Sequence, residues 1–133
     1  MEADTRQRRE DLIYPDLSYK IIGVLFNVFN HVGYGHSEKI YQRAVAKGLQ
    51  EINLEFKEQL PVKVIYQNKT IGQYYFDFLI DDKVVLELKV RNYFSKKDIE
   101  QTYSYLKAQK IKLGILAHFT RTGVKHKSIV NVQ

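Results

Sequence analysis

The segment from Tyr74 to Val90, YYFDFLIDDKVVLELKV, carries charged side chains inside two runs that otherwise suit a buried sheet. Apolar residues alternate on both sides of a short polar turn, which predicts two antiparallel strands joined by a tight connection. Asp77, Glu87 and Lys89 fall inside these predicted strands. A buried charge is costly unless it is paired, hydrogen-bonded or bound to a metal, so these residues restrict both the fold and its use.

Side-chain alternation assigns each residue of the two strands to one face of the sheet. We expect one apolar face to contain Tyr74, Phe76, Phe78 and Ile80, matched on the next strand by Val84, Leu86, Leu88 and Val90. Asp77 would then lie on the same side as Glu87 and Lys89. A loop of three residues, Asp81 to Lys83, puts Asp77 opposite Glu87, with their Cβ atoms about 5 Å apart.

Two interpretations of these three charges are open from the residues alone. Opposed carboxylates repel, and a divalent cation between them reverses the sign of that interaction; oxygen ligands suit magnesium or manganese. Alternatively, Lys89 neutralises Asp77 or Glu87 in a partly solvated ion pair. The position of Asp77 opposite Glu87 in an apolar strand shifts the balance toward a functional site and leaves both interpretations open.

The rest of the chain predicts an α/β (α+β) domain with a mixed sheet. Apolar steps of three and four residues indicate helices from Asp16 to the Gly33 region and from Ser37 to about Gln50. The later elements are predicted as strands over 54–66, 71–80 and 83–90, a helix over 96–108, and strands over 111–119 and 128–132. Pro61 would mark an edge strand or bulge. The helix between the third and fourth strands permits a parallel crossover. We interpret residues 1–15 as a flexible lead-in and 16–133 as one domain.

Composition excludes several kinds of chemistry. The 133 residues include no cysteine, which removes disulfides, thiolate zinc sites, iron–sulfur clusters and cysteine nucleophiles. The net charge of +6 favours anionic partners such as nucleic acid. No apolar run approaches the roughly 18 residues of a membrane span, and the charged start of the chain lacks an apolar signal core. We therefore expect a soluble, cytoplasmic protein.

The order of these motifs resembles the PD-(D/E)XK nuclease superfamily. Asp77 is followed ten residues later by Glu87-Leu88-Lys89, although Phe76 stands where the motif often has proline. GHSEKIY, residues 35–41, reads Gly-x-x-Glu-x-x-Tyr and is similar to the signature that names the GxxExxY family. QTYSY, residues 101–105, resembles the Gln-x-x-x-Tyr motif of RecB-like nucleases. The resemblance covers about residues 17–131 and implies a restriction-endonuclease-like core.

The resemblance also implies roles for particular residues. Asp77, Glu87 and Glu38 would hold Mg²⁺ or Mn²⁺, and Lys89 would position or deprotonate the attacking water. Gln101 and Tyr105 would contact the nucleic acid or support the site. Apart from the resemblance, basic residues have to reach the phosphates, and the candidates are Arg91, Lys96 and Lys97, with Arg121, Lys125 and Lys127 in the tail. Structural alternatives stay open: a helix dipole favours Glu38 in a first turn, Tyr41 suits core packing, and Gln101 suits a solvent-facing position. The four histidines have no ligand spacing, although His36 is close to Glu38 in sequence.

These observations predict a magnesium-dependent nuclease acting on DNA, as a homodimer or with a protein partner. One variant within this class is a structure-selective dimer like the Holliday-junction resolvases. The alternative from another class is a nucleic-acid-binding or assembly module that keeps the fold without catalysis. Intact Asp77, Glu87 and Lys89 favour the enzyme, because a binding module has no need for opposed carboxylates.

Overall fold

A computed structural model describes residues 13–132 and contains five strands and three helices. The elements are α1 (Pro15–Val32), α2 (Glu38–Glu51), β1 (Phe56–Tyr66), β2 (Lys69–Ile80), β3 (Val84–Lys89), α3 (Lys96–Gln109), β4 (Leu113–Thr120) and β5 (Gly123–Val130). The predicted order of helices and strands is confirmed. Within the predicted lead-in, Ile13 and Tyr14 pack against the core, and the remainder, residues 1–12, lies outside the described part of the chain.

The five strands form one mixed sheet in the order β1-β2-β3-β4-β5. β3 and β4 are parallel, and the other neighbouring pairs are antiparallel. The parallel pair is connected through α3, which confirms the predicted crossover and the α+β class. Every residue of β4 is buried, as expected for a strand that lies between two neighbours and is covered on both faces.

The helices cover the two faces of the sheet and create two apolar cores. The first core joins α1 and α2 to the sheet through Ile21, Leu25, Val45, Phe78, Leu86 and Ile115. The second core joins α3 to the opposite face through Tyr105, Leu106, Phe76, Val85 and Leu116. Because the α3 face carries Val85, the alternation along β3 places Glu87 and Lys89 on that side as well.

The prediction that the alternate residues from Tyr74 to Ile80 share one face is wrong. Phe78 lies in the first core, whereas Phe76 and Tyr74 pack in the second, on the side of α3. The change of side falls at Asp77. Residue pairing between β1 and β2 skips Asp77 and the residue opposite it, Gln59, which has a left-handed φ of 53°. Because of this irregularity, Asp77 is not part of the regular residue pairing between β1 and β2.

Several strand boundaries also differ from the predictions. β1 begins at Phe56 rather than at residue 54, and it is the edge strand that Pro61 predicted, with a register shift between Val64 and Ile65. β5 begins at Gly123 rather than near residue 128, because three consecutive exposed polar residues, Lys125, His126 and Lys127, hide its apolar signal. β2 begins at Lys69, so the turn is confined to Gln67 and Asn68, both with left-handed φ angles. Within residues 13–132, no helix is long and apolar enough to span a membrane.

Candidate metal centre

The two carboxylates predicted to oppose one another meet where β2 and β3 part. The register pairs Ile80 with Val84, as predicted from the loop length, and continues to Phe78 and Leu86. Beyond this pair, the Asp77 and Glu87 side chains accept the hydrogen bonds that link the two strands. The Asp77 N–H donates to Glu87 Oε1 at 3.0 Å, and the Leu88 N–H donates to Asp77 Oδ2 at 2.7 Å.

Lys89 completes the cluster from the same strand as Glu87. Its Nζ lies 3.7 Å from Glu87 Oε2, and the two side chains are only 20% and 13% exposed. The structure therefore brings together Asp77, Glu87 and Lys89 in one half-buried group. The ion pair that the sequence left as an alternative is present, but it neutralises only one of the two carboxylates.

Burial makes both carboxylates hold protons more tightly than usual, and the Asp77 charge adds to this effect at Glu87. Burial and the nearby Asp77 charge raise the pKa of Glu87 to about 9, although Lys89 acts in the opposite direction. The pKa of Asp77 is also raised, chiefly by burial, and the Leu88 N–H partly offsets this. The metal-free pair consequently keeps a proton at neutral pH, as expected when two adjacent acids cannot both ionise.

The donor set suits a divalent cation. One oxygen of each carboxylate is fixed by a backbone N–H, which orients both side chains without any contribution from the ion. Positive charge between Asp77 and Glu87 would offset the burial that raises both pKa values and the Asp77 charge that further raises that of Glu87. Two protein carboxylates with the other positions left to water and substrate oxygens is the usual arrangement for Mg²⁺.

Glu38, the third predicted ligand, is exposed at the first residue of α2. Across residues 13–132, no group of three or more acidic or histidine side chains is arranged to hold a metal. The structure thus does not gather Glu38 with Asp77 and Glu87 into a three-ligand cluster. Ser37 caps this helix by accepting from the Ile40 N–H, as predicted, and Glu38 also has a favourable position relative to the helix dipole.

Comparison with known proteins identifies the family. The sequence profile of the PD-(D/E)XK nuclease superfamily matches residues 15–130, nearly the whole chain. The chain belongs to this superfamily. The crystal structure of SSO0001 superposes with a TM-score of 0.52 at 17% identity, covering 95% of this chain and 61% of the other. This chain thus spans about three fifths of that protein, and the likeness supports the fold alone. No curated protein matches the sequence.

The superfamily is one of nucleases, and PD-(D/E)XK nucleases generally use divalent metals. Asp77 and the Glu87-Leu88-Lys89 segment have the residue types and the order of the motif that names the superfamily. The structure adds that these residues converge at the break between β2 and β3.

Two of the basic residues predicted to contact substrate form ion pairs with acidic residues of the protein. Arg91 Nη1 lies 2.6 Å from Asp98 Oδ2, and the Asp98 side chain is 9% exposed. Ser95 caps α3 by accepting from the Asp98 N–H. The Asp98 carboxylate pairs with Arg91 instead of bonding back to the cap residue as in a capping box. Lys96 pairs loosely with Glu100 at 3.8 Å on the exposed side of α3. Lys97, Arg121, Lys125 and Lys127 are exposed.

Arg91→Ala is expected to lower the free energy of unfolding by about 2 kcal/mol, because it leaves the Asp98 carboxylate buried without its partner. Urea denaturation measures the change. The double variant with Asp98→Asn should recover much of the loss, since the uncompensated charge is then gone. If Arg91→Ala weakens DNA binding without any change in the urea midpoint, its role is substrate contact and the structural assignment is wrong.

The Gln-x-x-x-Tyr residues lie on α3, above the carboxylate face. Tyr105 is buried, and its ring centroid is 4.6 Å from that of Phe76. Gln101 is half-buried.

Tyr41, from the Gly-x-x-Glu-x-x-Tyr segment, stacks on Phe119 at 4.0 Å and donates its hydroxyl to the Gly33 carbonyl. The core-packing interpretation of Tyr41 is therefore confirmed.

His118 is a residue that sequence reasoning missed. It is fully buried on β4 beside Lys89 in the parallel register, and its ring packs on Phe94 at 4.1 Å. Neither ring nitrogen has a hydrogen-bond partner within the described chain. Burial and the Arg91 guanidinium lower the pKa of His118. A titratable residue inside the apolar run LGILAHF was the available signal.

Proposed function

We propose that the chain is a divalent-metal-dependent nuclease that hydrolyses phosphodiester bonds in DNA. The observation that carries the proposal is the contact between Asp77 and Glu87, two half-buried carboxylates whose backbone hydrogen bonds preset their orientation. A structural ion pair needs one acid for one base, whereas this group has two acids with one lysine. Without a metal, the second acid has to stay protonated in this half-buried position, and a bound cation would take the place of that proton.

The roles of the site residues follow from their positions. Asp77 and Glu87 would hold Mg²⁺ or Mn²⁺. The role of Glu38 as a further ligand or as a residue that orients a water molecule rests on the motif resemblance and not on its position, because it is exposed and lies outside this pair. When bound, the ion supplies Lewis-acid polarisation of the phosphoryl oxygen. Lys89, which is half-buried beside Glu87, would hold the attacking water and offset the negative charge that develops on the phosphate.

Other residues would contact or position the nucleic acid. The basic residues Lys96 and Lys97 begin α3 and are exposed, so they are available to phosphates. Arg91 and Tyr105 would act by fixing the strand end and the helix rather than by direct contact, because both are packed against protein groups. Gln101, one turn before Tyr105 on α3, would face the substrate. The finer forms of this proposal are that the protein belongs to the GxxExxY family, that it is RecB-like, and that it acts as a resolvase-like dimer.

The test is a cleavage assay on labelled single-stranded, duplex and four-way-branched DNA, with Mg²⁺, Mn²⁺ or EDTA. We expect cleavage with either metal and none with EDTA, and we expect Lys89→Ala to reduce the rate by about 10²-fold or more. An RNA of the same sequence shows whether the substrate is DNA. Tight binding to DNA with no metal-dependent cleavage of any substrate would overturn the enzyme in favour of a binding module.

A further inference from the structure

A groove of about 480 Å³ lies between the β1–β2 hairpin and the second half of α3. Its lining consists of Pro61, Val62, Lys63, Ile65, Tyr74, Ser104, Tyr105, Ala108 and Gln109. The walls are aromatic and aliphatic, and a hydroxyl and an amide belong to the α3 side. Lys63 is the cation of this set, and the set contains no acidic residue.

The groove and the carboxylate pair lie on the same face of the sheet. Tyr74 lines the groove, lies three residues before Asp77 on β2, and packs on the α3 face of the sheet, which also carries Glu87. Burial and the Glu87 carboxylate together raise the pKa of Tyr74, which agrees with this proximity. A ligand in the groove would therefore lie on the same face of the sheet as the metal centre, beside Tyr74 and three residues along β2 from Asp77.

The chemistry of the lining matches a nucleobase. A base has an apolar flat face and hydrogen-bonding edges, and aromatic side chains with nearby polar groups bind such rings in single-stranded nucleic acid. Bases in a duplex are stacked and paired, so they enter a side pocket only after being unpaired. The volume of the groove is within the range of small-ligand sites.

Charge favours an anionic polymer over a second copy of the chain as the occupant. The hairpin segment 60–76 includes Lys63 and Lys69 and no aspartate or glutamate. A symmetric pairing of two such hairpins would bring like charges together, which is unfavourable. Phosphates flanking a bound base would instead meet Lys63 at the rim of the groove.

We propose that the groove between the hairpin and α3 receives an unpaired base beside the cleaved phosphodiester, so that the substrate is nucleic acid with a single-stranded segment. This inference rests on the proposed nuclease function for its choice of ligand. It goes beyond that function by selecting one class of DNA structure and by assigning Lys63, Tyr74 and Ala108 to substrate selection.

The experiment measures binding rather than cleavage. Fluorescence anisotropy in EDTA compares a labelled single-stranded oligonucleotide with the corresponding blunt duplex. Ala108→Trp, at an exposed position of α3, fills the groove and should weaken single-strand binding by about 10-fold, with little change for the duplex. Lys63→Glu should weaken it similarly and flatten the salt dependence by about 0.7 in log–log slope.

Lys69→Glu provides the matched control, because it makes the same charge change on the same hairpin but its residue does not line the groove. The inference is overturned if Lys63→Glu and Lys69→Glu act equally, if Ala108→Trp leaves single-strand binding unchanged, or if it weakens duplex binding as much. A shift from dimer to monomer in Ala108→Trp by light scattering would assign the groove to self-association and also overturn it. If the wild-type protein binds single-stranded DNA as expected but cleaves no substrate, the nuclease proposal is refuted and the base-binding inference is not.

Discussion

Asp77→Asn should abolish DNA cleavage, with a loss in kcat/KM of at least about 10³-fold. Asparagine keeps an oxygen that accepts from the Leu88 N–H, a bond of 2.7 Å in the structure, so the strand ends should stay in place. What it removes is the negative charge that, with Glu87, would hold the cation. Single-turnover cleavage of labelled DNA under saturating Mg²⁺ measures the effect.

Asp81→Asn is the control for this substitution. Asp81 is an exposed carboxylate in the β2–β3 turn, paired only loosely with Lys83 at 3.7 Å. Its left-handed φ of 54° is one that asparagine readily adopts. The control should cleave at the wild-type rate. Cleavage by Asp77→Asn at more than a tenth of the wild-type rate would show that the carboxylate pair is not the reactive centre.

Glu87→Gln should stabilise the metal-free protein at alkaline pH. The folded-state pKa of Glu87, about 9, lies far above its ordinary value because of burial and the Asp77 charge. Between about pH 5 and pH 9 the folded state therefore binds more protons than the unfolded state, and the free energy of unfolding falls as pH rises. Glutamine stays neutral at all these pH values and its amide can donate to Asp77, so the decline should largely disappear.

Urea denaturation in EDTA, repeated from about pH 5 to pH 9, measures this difference. Each unit of pKa shift corresponds to about 1.4 kcal/mol, so we expect Glu87→Gln to exceed wild type by at least about 2 kcal/mol at pH 9 and to be close to it at pH 5. The exposed Glu55→Gln should follow the wild-type curve. Parallel curves for wild type and Glu87→Gln would contradict the buried, proton-sharing carboxylate pair.

The hairpin register could be predicted because local rules determine it. An alternating pattern with a three-residue loop places Ile80 opposite Val84, and the structure pairs them in this way. The change of face at Asp77 could not be predicted from β2, because it coincides with a left-handed residue, Gln59, in the neighbouring strand. A glutamine does not indicate that conformation in the sequence, so the regular alternation predicted for β2 continues past Asp77, where the faces change in the structure.

Contacts between elements were also beyond local patterns. Arg91 reads as a free cation at a strand end, but the first turn of α3 brings Asp98 to 2.6 Å from it. His118 reads as one polar residue in a strand, and its burial beside Lys89 depends on the parallel pairing of β3 with β4. In both cases the decisive partner comes from an element whose packing the linear pattern does not specify.

The most direct test of the account is calorimetric titration of Mn²⁺ into the metal-free protein. Measurements at about pH 7.5 in two buffers of different ionisation enthalpy give both the binding and the protons released. We predict saturable binding with release of about one proton per ion, since the carboxylate pair must give up its shared proton, and loss of both signals in Asp77→Asn. Failure of the wild type to bind Mn²⁺, or unchanged binding and proton release in Asp77→Asn, would contradict a cation site built from Asp77 and Glu87.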